Sequence, residues 1–206
     1  MSKRRQFISL GAGLVIYGWT SERRAQAASS ETAASRATAF VKDFGDKLVG
    51  VVNGPGSTQD KRRLLTQIID SAVDVDGVAR FCLGRFWRLA SPQQQKRYVE
   101  LFHQVLLSNV MAKLGEYRGV KFTVCRSRRE DEDEIVSSVV ERPNNPPTNV
   151  DWVISYPDSN PKIIDVIAAG TSFRLTQRSD YASYLARNNN SIDALINALQ
   201  QQAVQN

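Results

Sequence analysis

The chain has one histidine and two cysteines in 206 residues. The lone His103 leaves no second imidazole for a histidine-based metal site, and the partners a catalytic triad needs are missing. Cys82 and Cys125 stand in no CxxC, which removes a thioredoxin motif and a zinc ribbon. Whether the two bridge each other stays open. An oxidising compartment permits a disulfide, yet cysteine also serves as a small core residue. No GxSxG, P-loop, GxGxxG or HExxH occurs. Without a nucleotide motif the protein cannot power work by itself. No apolar run reaches the ~20 residues of a membrane span.

What is present begins with the N-terminus. Lys3, Arg4 and Arg5 form a positive region, Phe7 to Trp19 a short apolar run, and Ala25-Gln26-Ala27 a small-x-small cleavage site. This predicts a secretory signal over 1–27 and a single mature domain over 28–206. Arg4-Arg5-Gln6-Phe7-Ile8 resembles a twin-arginine export motif, with general secretory export as the other route. Glu22, Arg23 and Arg24 make the segment before the cleavage site unusually charged, and an uncleaved anchor is the alternative. Removing 1–27 takes away five basic residues and one acid. The count of 27 basic against 21 acidic becomes 22 against 20, a net of +2. The basic isoelectric point thus belongs largely to the signal, and a nucleic-acid partner, which needs a basic stripe, is not expected. The location implied is periplasmic.

Residues 28–38, rich in Ala, Ser and Thr, read as a frayed start. From Ala37, Phe40, Val41, Phe44, Leu48, Val51 and Val52 keep helical spacing, and Asn53-Gly54-Pro55 stops that helix. Thr58 caps a second helix bearing Leu64, Leu65, Ile68 and Ile69. A third starts at Asp74 or Asp76 and runs through Val78, Phe81, Phe86 and Trp87. Ser91-Pro92 predicts a clean start for a fourth, which buries Tyr98, Leu101, Phe102, Val105, Leu106 and Val110. After Gly119 the period changes to two. Val120, Phe122 and Val124 alternate with Lys121, Thr123 and Cys125. The charge run 126–134 reads as a solvated hairpin loop, 135–141 as a strand, and the Pro/Asn segment 142–149 as a loop. Val150, Trp152 and Ile154 mark a third strand, Lys162 to Ala169 a fourth, and Gly170 ends the sheet. Leu175 to Arg187 and Ser191 to Leu199 are helical. Helices followed by strands with short turns predict an α+β domain with an antiparallel sheet of about four strands.

Several segments carry a resemblance. Phe81-Cys82-Leu83-Gly84-Arg85-Phe86-Trp87-Arg88 with Ser91-Pro92-Gln93-Gln94-Gln95 and Tyr98 to Phe102 form the first. Asp151-Trp152, Asp165-Val166-Ile167 with Gly170, and Thr176-Gln177-Arg178-Ser179-Asp180-Tyr181 follow. Their order and spacing resemble the toluene-tolerance (Ttg2) family, to which the phospholipid shuttle of the Mla pathway belongs. The resemblance implies a curved antiparallel sheet, an NTF2-like cone, wrapped by helices around an apolar cavity. It implies a non-enzymatic periplasmic carrier of phospholipid, serving outer-membrane lipid asymmetry, with no cofactor and no metal. The partners it implies are an outer-membrane lipoprotein complex and an inner-membrane ABC transporter with a lipid-binding ring. A hopanoid or other polycyclic lipid is the alternative cargo, and an NTF2-like enzyme on a lipidic substrate the alternative activity.

A carrier needs an inward surplus of large apolar groups. Burial is worth about 0.8 kcal/mol per methylene against water and almost nothing against a bilayer. Candidate lipid-binding residues are Phe81, Phe86, Trp87, Phe102, Val105, Leu106, Phe122, Val124, Trp152, Ile154, Ile164 and Val166. Their spacing is equally that of a filled core, so the cavity rests on the resemblance. Asp165, between Ile164 and Val166, separates carrier from enzyme. A base in an apolar cone would face the cavity. The alternation instead puts Asp165 on the opposite face, accepting hydrogen bonds from a basic residue such as Arg178, with Arg174 also in reach, or from helix-start amides.

Overall fold

The computed structural model describes residues 19–156 and 159–205. Six helices and five strands follow in the order α1 (Trp19–Asn53), α2 (Thr58–Ala72), α3 (Val75–Leu83), α4 (Pro92–Lys113), β1 (Lys121–Glu130), β2 (Asp133–Glu141), β3 (Thr148–Ser155), β4 (Lys162–Ala168), β5 (Thr171–Ser172), α5 (Phe173–Arg187) and α6 (Ile192–Gln205). Short 3-10 turns cover Gly84–Arg88 and Leu114–Tyr117. Residues 1–18, and with them the twin-arginine motif, lie outside the described residues.

Local chemistry sets the helix starts. Ser91 accepts from the Gln94 amide while the Gln94 side chain accepts from the Ser91 amide, and Pro92 occupies the first turn. The α2 cap is Ser57, one residue before the predicted Thr58, because only Ser57 closes a reciprocal box with Asp60. Asp74 caps α3 by accepting from the Gly77 amide at 2.9 Å. Helix α3 ends sooner than its apolar spacing suggests. Gly84 adopts φ 61 and turns the chain into the 3-10 segment that carries Phe86 and Trp87. Residues 28–38 are helical rather than frayed. Alanine favours helix intrinsically, and Ala37 is fully buried.

The sheet is an antiparallel meander in the order β1-β2-β3-β4-β5. The run 126–134, expected to be a loop, is mostly strand. Arg126 faces Ser137, Arg128 faces Ile135, and only Asp131 and Glu132 turn the hairpin. Cross-strand pairing absorbs the charges: Arg128 reaches Asp151 at 3.1 Å on β3. A fifth, two-residue strand returns after Gly170, where the sequence reading ended the sheet. Register shifts lie between Val124 and Arg126 on β1 and opposite Val153/Ile154 on β4. Such bulges bend a sheet and increase its twist.

Two apolar clusters result. The first joins α3, α4, α5 and α6 around Tyr98, Leu101, Phe102, Leu185 and Leu195. Tyr98 anchors it by donating to the Ala79 carbonyl at 2.9 Å. The second joins α1 to the inner sheet face through Val41, Phe44, Val136, Trp152, Ile154 and Ile163. Phe44 and Phe122 both meet the Trp152 ring edge-on, at 5.4 and 6.0 Å between centroids. Gly45 makes room for this arrangement, since a Cβ there would lie 2.2 Å from the Phe122 ring.

Candidate functional site

The two clusters do not merge completely. Between them lies a cavity of about 220 Å³ whose accessible wall is wholly apolar. Phe44 and Leu48 of α1, Ile69 of α2 and Val73 just beyond it form one side. Val78 of α3, Leu106 and Val110 of α4 form another. Trp152 of β3, with Ile163, Ile164 and Val166 of β4, closes the sheet side, and Phe173 sits at the start of α5. Phe173 lines the cavity and is still 39% exposed, so the cavity reaches the surface there.

Four of the twelve predicted lipid-binding residues stand on this wall: Leu106, Trp152, Ile164 and Val166. The other eight are placed elsewhere. Phe86, Phe102 and Val105 are buried inside the helical cluster, with Phe81 and Trp87 packed against it. Ile154 is buried in the sheet cluster, and Phe122 and Val124 pack against it. The reason is geometric. An amphipathic face shows only that a residue points inward, and most inward residues meet another side chain. Helical spacing puts Phe44, Leu48, Ile69, Val78 and Val110 on buried helix faces but cannot assign them to a cavity. Periodicity does not mark Val73, Ile163 or Phe173, which lie at element ends or beside the β4 bulge.

That bulge also changes which isoleucine sinks. Val153 pairs with Asp165 and Ile154 with Ile163, so Ile164 is the extra residue. Ile163 is 2% exposed, whereas Ile164 is half-buried on the cavity wall.

Asp165 contributes no polar atom to the wall. Its Oδ1 accepts from the amides of Val166 at 2.8 Å and Arg174 at 3.0 Å, and its Oδ2 accepts from the Ser172 hydroxyl. Arg174 Nε lies 3.4 Å from Oδ2. The Arg174 amide at the start of α5, the Val166 amide of β4 and the Ser172 hydroxyl therefore hold the carboxylate, and the basic partner is Arg174. Arg178 turns away and donates to the Phe81 carbonyl at 3.4 Å. Nearby, Cys82 is buried and free, and Cys125 is exposed and free, so no disulfide forms. Burial pushes the Cys82 thiol up to about 12, with the Asp165 charge adding to the effect. His103 Nε2 lies 2.8 Å from Asp70 Oδ1 at the α4–α2 boundary, outside the cavity. Among the described residues no group of three or more His, Cys, Asp or Glu is placed to hold a metal ion. No described helix is long and apolar enough to cross a membrane.

A family model described as MlaC protein matches residues 42–201, which include every residue lining the cavity. The chain belongs to the MlaC family. It is similar to the toluene tolerance protein ttg2D of Pseudomonas putida, at 26% identity over 134 residues. That alignment spans 64% of this chain and 62% of the relative. In fold it is similar to a phospholipid-binding protein of Ralstonia solanacearum solved in complex with a phospholipid. The TM-score is 0.73 at 23% identity, covering 82% of this chain and 97% of that one. The α+β class and the curved antiparallel sheet read from the sequence agree with this fold.

Proposed function

We propose that the protein is a periplasmic carrier that takes the acyl tails of a phospholipid between its two apolar clusters. The observation that carries this reading is the wholly apolar wall of the cavity in a chain of the MlaC family. The P. putida relative's name and the phospholipid in the R. solanacearum structure support it. A catalytic reading would require a polar group on that wall, and Asp165 is instead committed to Ser172 and Arg174. At about 220 Å³ the cavity is smaller than the roughly 300–1,000 Å³ of pockets that take drug-sized ligands. Tails therefore enter by parting the walls. Because such a wall is as oily as a bilayer, lipid leaves as readily as it enters, and partners set the direction. The outer-membrane lipoprotein complex and the inner-membrane ABC transporter with its lipid-binding ring fill that role. Residues 1–27 serve as the export signal, which N-terminal sequencing of the periplasmic protein tests by finding, or not finding, Ala28 first.

The cavity itself is tested by native mass spectrometry of protein purified from the periplasm. A two-tailed phospholipid adduct is expected, and it should be lost in Val166→Asp, where a lone carboxylate enters an apolar wall at a cost of several kcal/mol. Circular dichroism controls for folding, and Leu106→Trp, which fills the space without charge, serves as the second variant. A triterpenoid adduct would replace the cargo, and a folded Leu106→Trp protein with undiminished lipid would refute the assignment of this wall.

A further inference from the structure

Beside the Phe173 end of the cavity, α3, its 3-10 extension and the start of α5 present five arginines: Arg80, Arg85, Arg88, Arg174 and Arg178. Of these five, and counting partners among the described residues, Arg174 alone lies within ion-pair distance of a carboxylate, that of Asp165. Four of the five are laid over aromatic rings instead. Arg174 and Arg178 flank the Phe81 ring at 4.7 and 4.9 Å from its centroid, Arg85 lies 4.9 Å from Phe86, and Arg80 5.7 Å from Trp87. Gly84 is part of the arrangement. Its φ of 61 and missing Cβ leave room for the Arg178 guanidinium, whose atoms would lie 3.3 Å from a side chain there. Exposed apolar groups stand among the charges: Leu89 at 71% and Leu175 at 57%.

We infer that this face is the docking surface for an acidic protein partner, placed so that lipid passes at Phe173. The inference rests on the carrier reading above. Charge and composition choose the occupant. An anionic bilayer attracts any cation near it, and lysine serves it as well as arginine. Segments 75–91 and 171–187 contain no lysine. Guanidinium forks stacked on rings lose little freedom on docking and match carboxylates bidentately. Arginine and aromatic anchors are also what protein interfaces concentrate, whereas lysine is depleted there. Asp180, the acid on α5, lines the α5–α6 groove with Tyr184 and Leu195, and the α3 acids Asp74 and Asp76 line a separate cleft with Asp70 and Glu100, so none of them forms an ion pair with these arginines among the described residues.

The test uses the two membrane complexes named above, purified into nanodiscs, and vesicles of 30% phosphatidylglycerol in phosphatidylethanolamine. Binding is measured by biolayer interferometry at low and physiological salt. Arg85→Glu/Arg178→Glu should weaken binding to at least one complex tenfold or more. Arg85→Lys/Arg178→Lys, which keeps charge without the fork, should weaken it about threefold. Circular dichroism and native mass spectrometry of the same samples check fold and lipid content. Unchanged binding in the glutamate variant overturns the inference. So does wild-type binding to the vesicles alone, or equal binding by the lysine variant. Wild-type protein that carries lipid yet binds neither complex overturns the docking surface and leaves the carrier standing. Wild-type protein that is empty overturns the carrier reading itself.

Discussion

Replacing Asp165 with asparagine separates a structural pin from a catalytic base. The carboxylate is 5% exposed and joins β4 to the first turn of α5. Asparagine can keep its oxygen on the Val166 and Arg174 amides, so those two bonds persist. The amide nitrogen then replaces Oδ2, facing the Ser172 hydroxyl and Arg174 Nε at 3.4 Å. The hydroxyl can rotate to accept, whereas the guanidinium cannot. The loss is the charge-assisted part of the site, about 1–3 kcal/mol. At roughly 2–4 °C per kcal/mol for a domain of this size, Tm should fall by about 2–12 °C. Asp165→Ala also leaves the Arg174 amide without its acceptor and should cost about 1–3 kcal/mol more than the asparagine variant. The assay is thermal unfolding followed by circular dichroism at neutral pH, with lipid content read by native mass spectrometry below the transition. Lipid should be retained by the folded asparagine variant. An unchanged Tm would refute the pin. A stable variant that carries lipid normally but loses a lipid-converting activity would refute the carrier.

Glu134 offers a pH test. It is 1% exposed, and among the described residues no hydrogen-bond donor reaches either oxygen, Arg129 being 3.9 Å away. Burial raises its pKa above the ordinary value, with Arg129 opposing weakly. In the window between the ordinary and raised values the folded protein holds a proton that the unfolded chain has lost. Stability therefore falls as pH rises through that window. Glu134→Gln should be more stable than wild type by about 1–3 kcal/mol at pH 7, the desolvation cost of an unpartnered group. The advantage should vanish below about pH 4, where an ordinary glutamate is also protonated; a difference independent of pH would sink the reasoning. For the thiols, the raised Cys82 and exposed Cys125 predict one group per chain reacting with Ellman's reagent at pH 8 and two in denaturant. Two fast thiols in the native protein, or none in denaturant without reductant, would contradict the structure.

What the sequence made legible was local. Ser91-Pro92 declares a helix start because cap, proline and Gln94 lie within four residues and need nothing else. Alternation between Asp165 and Val166 suffices to aim the Asp165 carboxylate away from the cavity, since a strand has only two faces. Helix ends were less legible: α3 spacing runs on through Phe86, and only the backbone at Gly84 stops it. The charge run 126–134 misleads in isolation, because its partners, Asp151 among them, arrive from another strand. Arg174 and Arg178 differ by about one helical turn. Either could be drawn to Asp165, and Arg174 takes it because its own amide already bonds the same carboxylate at the start of α5.

The cavity is the least legible feature because it belongs to no element. Val78, Leu106 and Phe173 come from the helical side, and Phe44, Trp152 and Val166 from the sheet side. Each cluster closes on its own contacts: Tyr98 with Phe102 and Tyr181 in one, Trp152 with Phe44 and Phe122 in the other. None of those aromatic contacts crosses from one cluster to the other. On the carrier reading, acyl tails between the clusters would restore burial at about 0.8 kcal/mol per methylene. An ordinary domain would merge two such clusters to gain the last contacts. A cavity requires the clusters to stay separate, and here they are joined beside it where Asp165 ties β4 to α5. This requirement falls on the junction rather than on any one helix or strand. A single-element pattern therefore cannot reveal it, and eight of the twelve candidate residues pack in or against the two clusters away from the cavity wall.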